Sequence, residues 1–246
     1  MEENDEKMNS YRKNAIIVGL LFITSTVAGI LSVVFLESIL NAPDYLINVS
    51  ANENQVIIGT VLELICAGAF LGIAVVIFPI LKKHNESIAL GYVVARICEA
   101  IPFIVGVISL LSLLTLSQEY VQSASPDVFY FQIFGTLLIA VHDWTNLIGS
   151  MIVFSLTALI LNYSLYRSKL VPRSISVWGL IGVPLMLTAG LLGMFGLFSP
   201  FSTTSILLAF PLALQEMVFA VWLIVKGFNS SPIDYESTKT DMNEVK

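Results

Sequence analysis

Six long apolar runs dominate this chain, at positions 15–36, 56–81, 88–116, 131–161, 175–198 and 206–225. About 20 apolar residues in a helix cross the hydrocarbon core of a bilayer, and every run meets that length. A helix also satisfies its own backbone hydrogen bonds, which lipid cannot do for it. A transmembrane barrel would instead show alternating segments of about ten residues. The runs therefore predict an all-α fold, a polytopic membrane helical bundle with six transmembrane helices. The third and fourth runs are longer than needed, which predicts tilt or extension past the headgroups. Charged residues make up only 12% of the chain, against roughly 25% in a soluble domain. Too few solvated groups remain to cover a water-facing surface. The net charge of −6 leaves no basic face for nucleic acid, which is not an expected partner.

Lysine and arginine placement sets the direction of insertion. Lys7, Arg12 and Lys13 precede the first run, and Lys82 and Lys83 separate the second from the third. Arg167, Lys169 and Arg173 separate the fourth from the fifth, and Lys226, Lys239 and Lys246 follow the sixth. The connections at 37–55, 117–130 and 199–205 hold neither residue type. This alternation predicts both termini on the cytoplasmic side of a cell (plasma) membrane. The start, MEENDEK, is acidic, unlike the basic opening of a secretory signal, so the first run reads as a retained helix. The expected organisation is a cytoplasmic segment at 1–13, a six-helix transmembrane domain at 14–227 and a polar, disordered cytoplasmic tail at 228–246.

Against this apolar background a few polar residues stand out. The second run holds Glu63, the third Arg96 and Glu99, the fourth His142, Asp143 and Asn146, and the sixth Gln215 and Glu216. The first and fifth hold no ionisable residue in their cores. Arg96 and Glu99 are three apart, which puts them on one helix face about 5–6 Å from each other. From the rise of about 1.5 Å per residue, Glu99, His142, Asp143 and Glu216 fall near the midplane. Glu63 falls nearer the outer face and Arg96 nearer the inner one. A lone charge at such depth costs at least ~2.5–3.5 kcal/mol. The economical arrangement is convergence, with the second, third, fourth and sixth helices facing one another and the first and fifth at the periphery. Such a cluster would hold four acids against Arg96 and His142. The surplus acids would be protonated, hydrated or neutralised by a cation, because burial disfavours a carboxylate's charge. The candidate ligands are thus a proton, a cation or a small molecule. The bland alternative is a structural cluster whose Arg–Glu pairing only fixes helix register.

Other features carry less. Pro79, Pro102, Pro184 and Pro211 lie within or at the end of runs and each frees a carbonyl four residues earlier. Gly68 and Gly72 form a GxxxG, and Gly190, Gly193 and Gly196 line the fifth run, all signs of close helix packing. Cys66 and Cys98 lie inside apolar runs and read as small buried residues. With only His84 and His142 present, a zinc site of two or three histidines cannot be built within the membrane. The chain has no GxSxG elbow, no Walker loop and no dinucleotide fingerprint. No catalytic residue and no cofactor are therefore assigned, and a carboxylate–His142 metal site stays open.

Several blocks nevertheless resemble a known family. They are ARICEA at 95–100, HDW at 142–144, YRSKLVPRSISVWGLIG at 166–182, and FPLALQEM at 210–217 running into WLIVKGF at 222–228. Together they resemble DUF4386, a bacterial membrane family of unknown function, over almost the whole chain from Ser10 to Phe228. The resemblance implies a six-helix membrane protein and carries over no catalytic residue. It groups Arg96, Glu99, His142, Asp143 and Glu216 within the matching blocks.

Three functions fit these observations. The first is a transporter-like or channel-like protein with a protonatable or cation-binding midplane site. The second is an intramembrane enzyme acting on a lipid-type substrate. The third is a non-catalytic sensor or assembly protein.

Overall fold

A computed structural model describes residues 2–123, 127–197, 199 and 202–229, with side chains described from Ser10 onward. The expected disordered tail lies almost wholly outside these residues. The described chain is helical, with no strand among its residues. Helix α1 runs over Glu2–Leu40, a short α2 over Tyr45–Ala51, α3 over Glu53–Lys82 and α4 over Glu86–Gln122. Then come α5 over Val128–Leu147, a π-helical segment over Ile148–Val153 and α6 over Phe154–Ser168, which together form one continuous rod. The last two are α7 over Arg173–Met194 and α8 over Thr203–Val225. Six of these stretches, 22 to 41 residues long, exceed the roughly 20 residues a bilayer core requires.

Local sequence explains where the helices stop and start. The Asn85 side chain accepts the backbone N–H of Ile88 at 2.9 Å and caps α4. Ser202 does the same for α8 through the N–H of Ser205. Lys169 takes a left-handed conformation, φ 59°, at the end of α6. Pro172 then stands just before α7, since its ring cannot continue a helix.

The six spans close a ring in chain order. α1 packs along α3, α3 along α4, α4 along α5 and α6, α6 along α7, α7 along α8, and α8 returns to α1. This corrects the expectation that the first span lies at the periphery, since α1 lies between α3 and α8. The fifth span likewise takes its place in the ring between α6 and α8. Arg12 fastens the closure by donating to the carbonyls of Leu223 and Ile224 at 3.1 and 2.6 Å. Lys83 lies over the Tyr11 ring, and the Asn229 N–H binds the Leu170 carbonyl. These contacts gather the basic connections at one end of the bundle. At the other end α2 lies across the helices. Tyr45 donates to the Gln132 carbonyl, and Ser117 donates to the Leu46 carbonyl.

Lipid gives apolar side chains no reason to hide, so packing and small residues hold such helices together. The outward faces carry Ile30, Val34, Val75, Ile108, Phe129, Ile181 and Leu207, all exposed. At Gly182 a Cβ would sit 3.0 Å from the Leu212 backbone, so glycine sets the α7–α8 approach. The GxxxG contributes less than its motif suggests. A Cβ at Gly68 would meet nothing within 4 Å, while one at Gly72 would meet Leu21.

Candidate functional site: two buried polar clusters

Arg96 and Glu99 face inward on α4, 1% and 0% exposed. The i, i+3 spacing brings Nη1 of Arg96 to 3.0 and 3.1 Å from the two Glu99 carboxylate oxygens. One turn earlier Tyr92 accepts from Arg96 Nε at 2.8 Å. The guanidinium also lies 5.3, 5.2 and 5.4 Å from the ring centres of Phe22, Phe70 and Tyr92. Cation–π contact of this kind strengthens when water is excluded. Thr157 on α6, whose hydroxyl donates to the Val153 carbonyl at 3.0 Å, stands close to Glu99. Glu216 on α8 is half-buried and within electrostatic range of both Arg96 and Glu99. It has no hydrogen-bond or ion-pair partner among the described residues.

A second cluster crosses between helices. Glu63 on α3 and His142 on α5 are 5% and 6% exposed. Glu63 Oε1 lies 2.9 Å from His142 Nε2, and the Ser32 hydroxyl of α1 donates to the same oxygen at 3.3 Å. Asn146, one turn along α5, brings its Nδ2 to 2.8 Å from the same ring nitrogen. Asp143 Oδ1 is 3.6 Å from His142 Nδ1, and its side chain is 69% exposed on the outside of the bundle. Glu63 Oε2 and His142 Nδ1 are buried without hydrogen-bond partners. Gly106 on α4 makes the assembly possible. A Cβ there would sit 3.1 Å from Thr145 Oγ1, 3.3 Å from His142 Cδ2 and 3.8 Å from Glu63 Oε2.

An apolar layer of Ala28, Cys66, Ala67, Ala100 and Phe103 separates the two clusters. On α3, Glu63 belongs to one cluster and Phe70 to the other; seven residues of helix span about 10 Å. The polar residues of the second, third, fourth and sixth spans therefore gather in two places, not one. Gln215 belongs to neither. Its Nε2 donates to Asn162 Oδ1 at 3.1 Å and to the Ile175 carbonyl at 3.3 Å, tying α8 to α6 and α7. Ser32, Tyr92, Gly106 and Thr157 joined the clusters without being singled out beforehand. Only Tyr92 left a usable signal, its i−4 spacing from Arg96.

The backbone beside these clusters is irregular. The π-helical segment begins two residues after Asn146, and Ser150 donates to the Asn146 carbonyl at 2.7 Å. At Gly149 this segment rests on Pro102 and Phe103 of α4. Segments of this kind occur often at functional sites. Among the described residues no three His, Cys, Asp or Glu side chains are placed to share a metal ion. A groove of about 430 Å³ lies elsewhere, on the outward face of α8 at Met217, Val221, Trp222 and Lys226.

Six apolar helices closing a ring around buried polar groups define a multi-pass membrane protein. The chain matches the family described as a domain of unknown function, DUF4386, over residues 17–227, and belongs to it. No curated protein and no solved structure matches the chain.

Proposed function

We propose that this protein is transporter-like or channel-like and exchanges protons or cations at polar groups buried in the bundle. It would sit in a bacterial plasma membrane with both termini in the cytoplasm, as the single basic end of the bundle favours. The carrying observation is Glu216, a half-buried acid beside an Arg96–Glu99 pair that already neutralises itself. An acid in that setting calls for a proton or a cation. The test is flux in reconstituted vesicles carrying a trapped pH or cation dye. Proton or cation movement that Glu216→Gln abolishes supports the reading. Absence of any flux, or flux indifferent to Glu216→Gln, overturns it.

A second reading, a non-catalytic sensor or assembly protein, draws support from the packed apolar residues between the clusters. It predicts no flux and a stoichiometric partner on purification.

A further inference from the structure

We infer that Asp143, His142 and Glu63 form a proton relay from the outside of the bundle to its interior. This deepens the proton-exchange reading and rests on it for its biological purpose. The geometry of the relay can be tested without any transport.

His142 Nε2 has two partners, Glu63 Oε1 at 2.9 Å and Asn146 Nδ2 at 2.8 Å. An imidazole nitrogen carries either a hydrogen or a lone pair. With the hydrogen it donates to the Glu63 carboxylate; with the lone pair it accepts from the Asn146 amide. The two contacts therefore belong to different protonation states of one ring, and both partners are already in place. A bare carboxylate facing a bare lone pair at 2.9 Å would be repulsive. At least one proton therefore lies between Glu63 and His142.

The other ring nitrogen supplies the entrance. Nδ1 is buried and has no hydrogen-bond partner, and Asp143 Oδ1 stands 3.6 Å from it. A small shift closes that gap. Asp143 lies on the exposed, lipid-facing outside of the bundle near midplane depth, whereas Glu63 is buried, so the imidazole bridges the outer face and the interior. In the transfer, the O–H bond of protonated Asp143 breaks and an N–H bond forms at Nδ1. The Nε2–H bond then breaks, and the proton bonds to Glu63 Oε1. One proton has moved inward. The ring is left with Nδ1–H and an Nε2 lone pair, which Asn146 stabilises by donating. Run in reverse, the same steps return the proton from Glu63 to Asp143 and restore the Nε2–H ring, so the relay equilibrates one proton between the two carboxylates.

The surroundings supply few competitors for this proton. α1 contributes only Ser32 and α4 contributes Gly106, with Glu99 seven residues back in the other cluster. α3 adds Cys66 one turn from Glu63. The π-helical segment has no ionisable side chain, and Arg173, at the basic end, is the ionisable residue of α7. Histidine is the side chain best suited to accept at one nitrogen and release at the other.

Nitrogen-15 NMR of histidine-labelled protein in lipid nanodiscs tests the relay. His84 and His142 are the only histidines, so His84→Gln leaves the His142 pair of signals alone. In that background the ring should pass between Nε2–H, doubly protonated and Nδ1–H forms as pH changes. Asp143→Asn, at an exposed position, should shift this titration. Glu63→Gln should pin the ring as Nδ1–H, because a glutamine amide can donate to Nε2. A single tautomer throughout the titration, or a titration that Asp143→Asn leaves unmoved, overturns the relay. If it falls while Glu216-dependent flux persists, the proposed function stands without it. If flux is absent but the ring behaves as described, the relay stands and the transport reading fails.

Discussion

The two clusters solve one problem in opposite ways. Around Arg96 nearly everything comes from a single helix: Tyr92, Arg96 and Glu99 lie at i, i+4 and i+7 of α4, so the pairing forms as soon as α4 does. Phe22 and Phe70 then close over it. Around His142 each partner comes from a different direction, with Glu63 from α3, Ser32 from α1 and space from Gly106 of α4. That cluster exists only when the bundle is assembled, and it retains two orphaned polar atoms. A self-contained ion pair makes a rigid anchor. A cross-helix pair with spare hydrogen-bonding capacity can change state when helices shift or protons move.

The largest effect should come from breaking the anchor. Arg96→Leu leaves Glu99 buried beside no cation, and losing one partner of a buried pair costs about 3–5 kcal/mol. Thermal unfolding in nanodiscs should register a large drop. The double variant Arg96→Leu/Glu99→Leu removes both charges and should recover most of it, because a well-packed apolar replacement is often neutral or stabilising. If the double variant is as unstable as the single, the pair does more than satisfy itself. Next comes Gly106→Ala. Its Cβ would press on Thr145 and His142, with an overpacking cost of about 1–3 kcal/mol. It should separate Glu63 from His142 and alter the imidazole signals while leaving the Arg96 cluster intact. An unchanged His142 spectrum would mean that α4 does not hold the pair in place.

These differences mark where the sequence was readable. The six spans were legible because hydrocarbon demands long apolar runs. Among the described residues the basic connections between spans also lie at one end of the bundle. Helix ends were less legible, because backbone hydrogen bonds continue past the apolar stretch: α4 runs over Glu86–Gln122 and the fourth rod over Val128–Ser168, against expectations of 88–116 and 131–161. α2 lay within a connection whose composition gave no helix signal. Convergence into one site was an argument from cost, and cost ignores how each helix is rotated. Arg96 found its partner in its own helix, Asp143 turned outward, and Gln215 joined α6 and α7. Sequence spacing can place residues on a common helix face, but it does not say which neighbour that face meets.

The smallest expected effects sharpen the contrast between motif and contact. Ser32→Ala removes one long hydrogen bond to Glu63 Oε1, at 3.3 Å, worth about 0.5–1.5 kcal/mol. Because Glu63 keeps its contact with His142, the loss should be modest and visible mainly in the protonation of the pair. Gly68→Ala should be smaller still. A Cβ there meets nothing within 4 Å, and alanine is the better helix former by about 0.8–1.0 kcal/mol, so monomer stability should hold or rise slightly. Gly72→Ala, where a Cβ would come 3.1 Å from Leu21, should lower it relative to Gly68→Ala. Equal responses at the two positions, measured side by side by thermal unfolding in the same nanodiscs, would mean that the spacing of the motif governs the α1–α3 contact and that the neighbour each glycine meets does not.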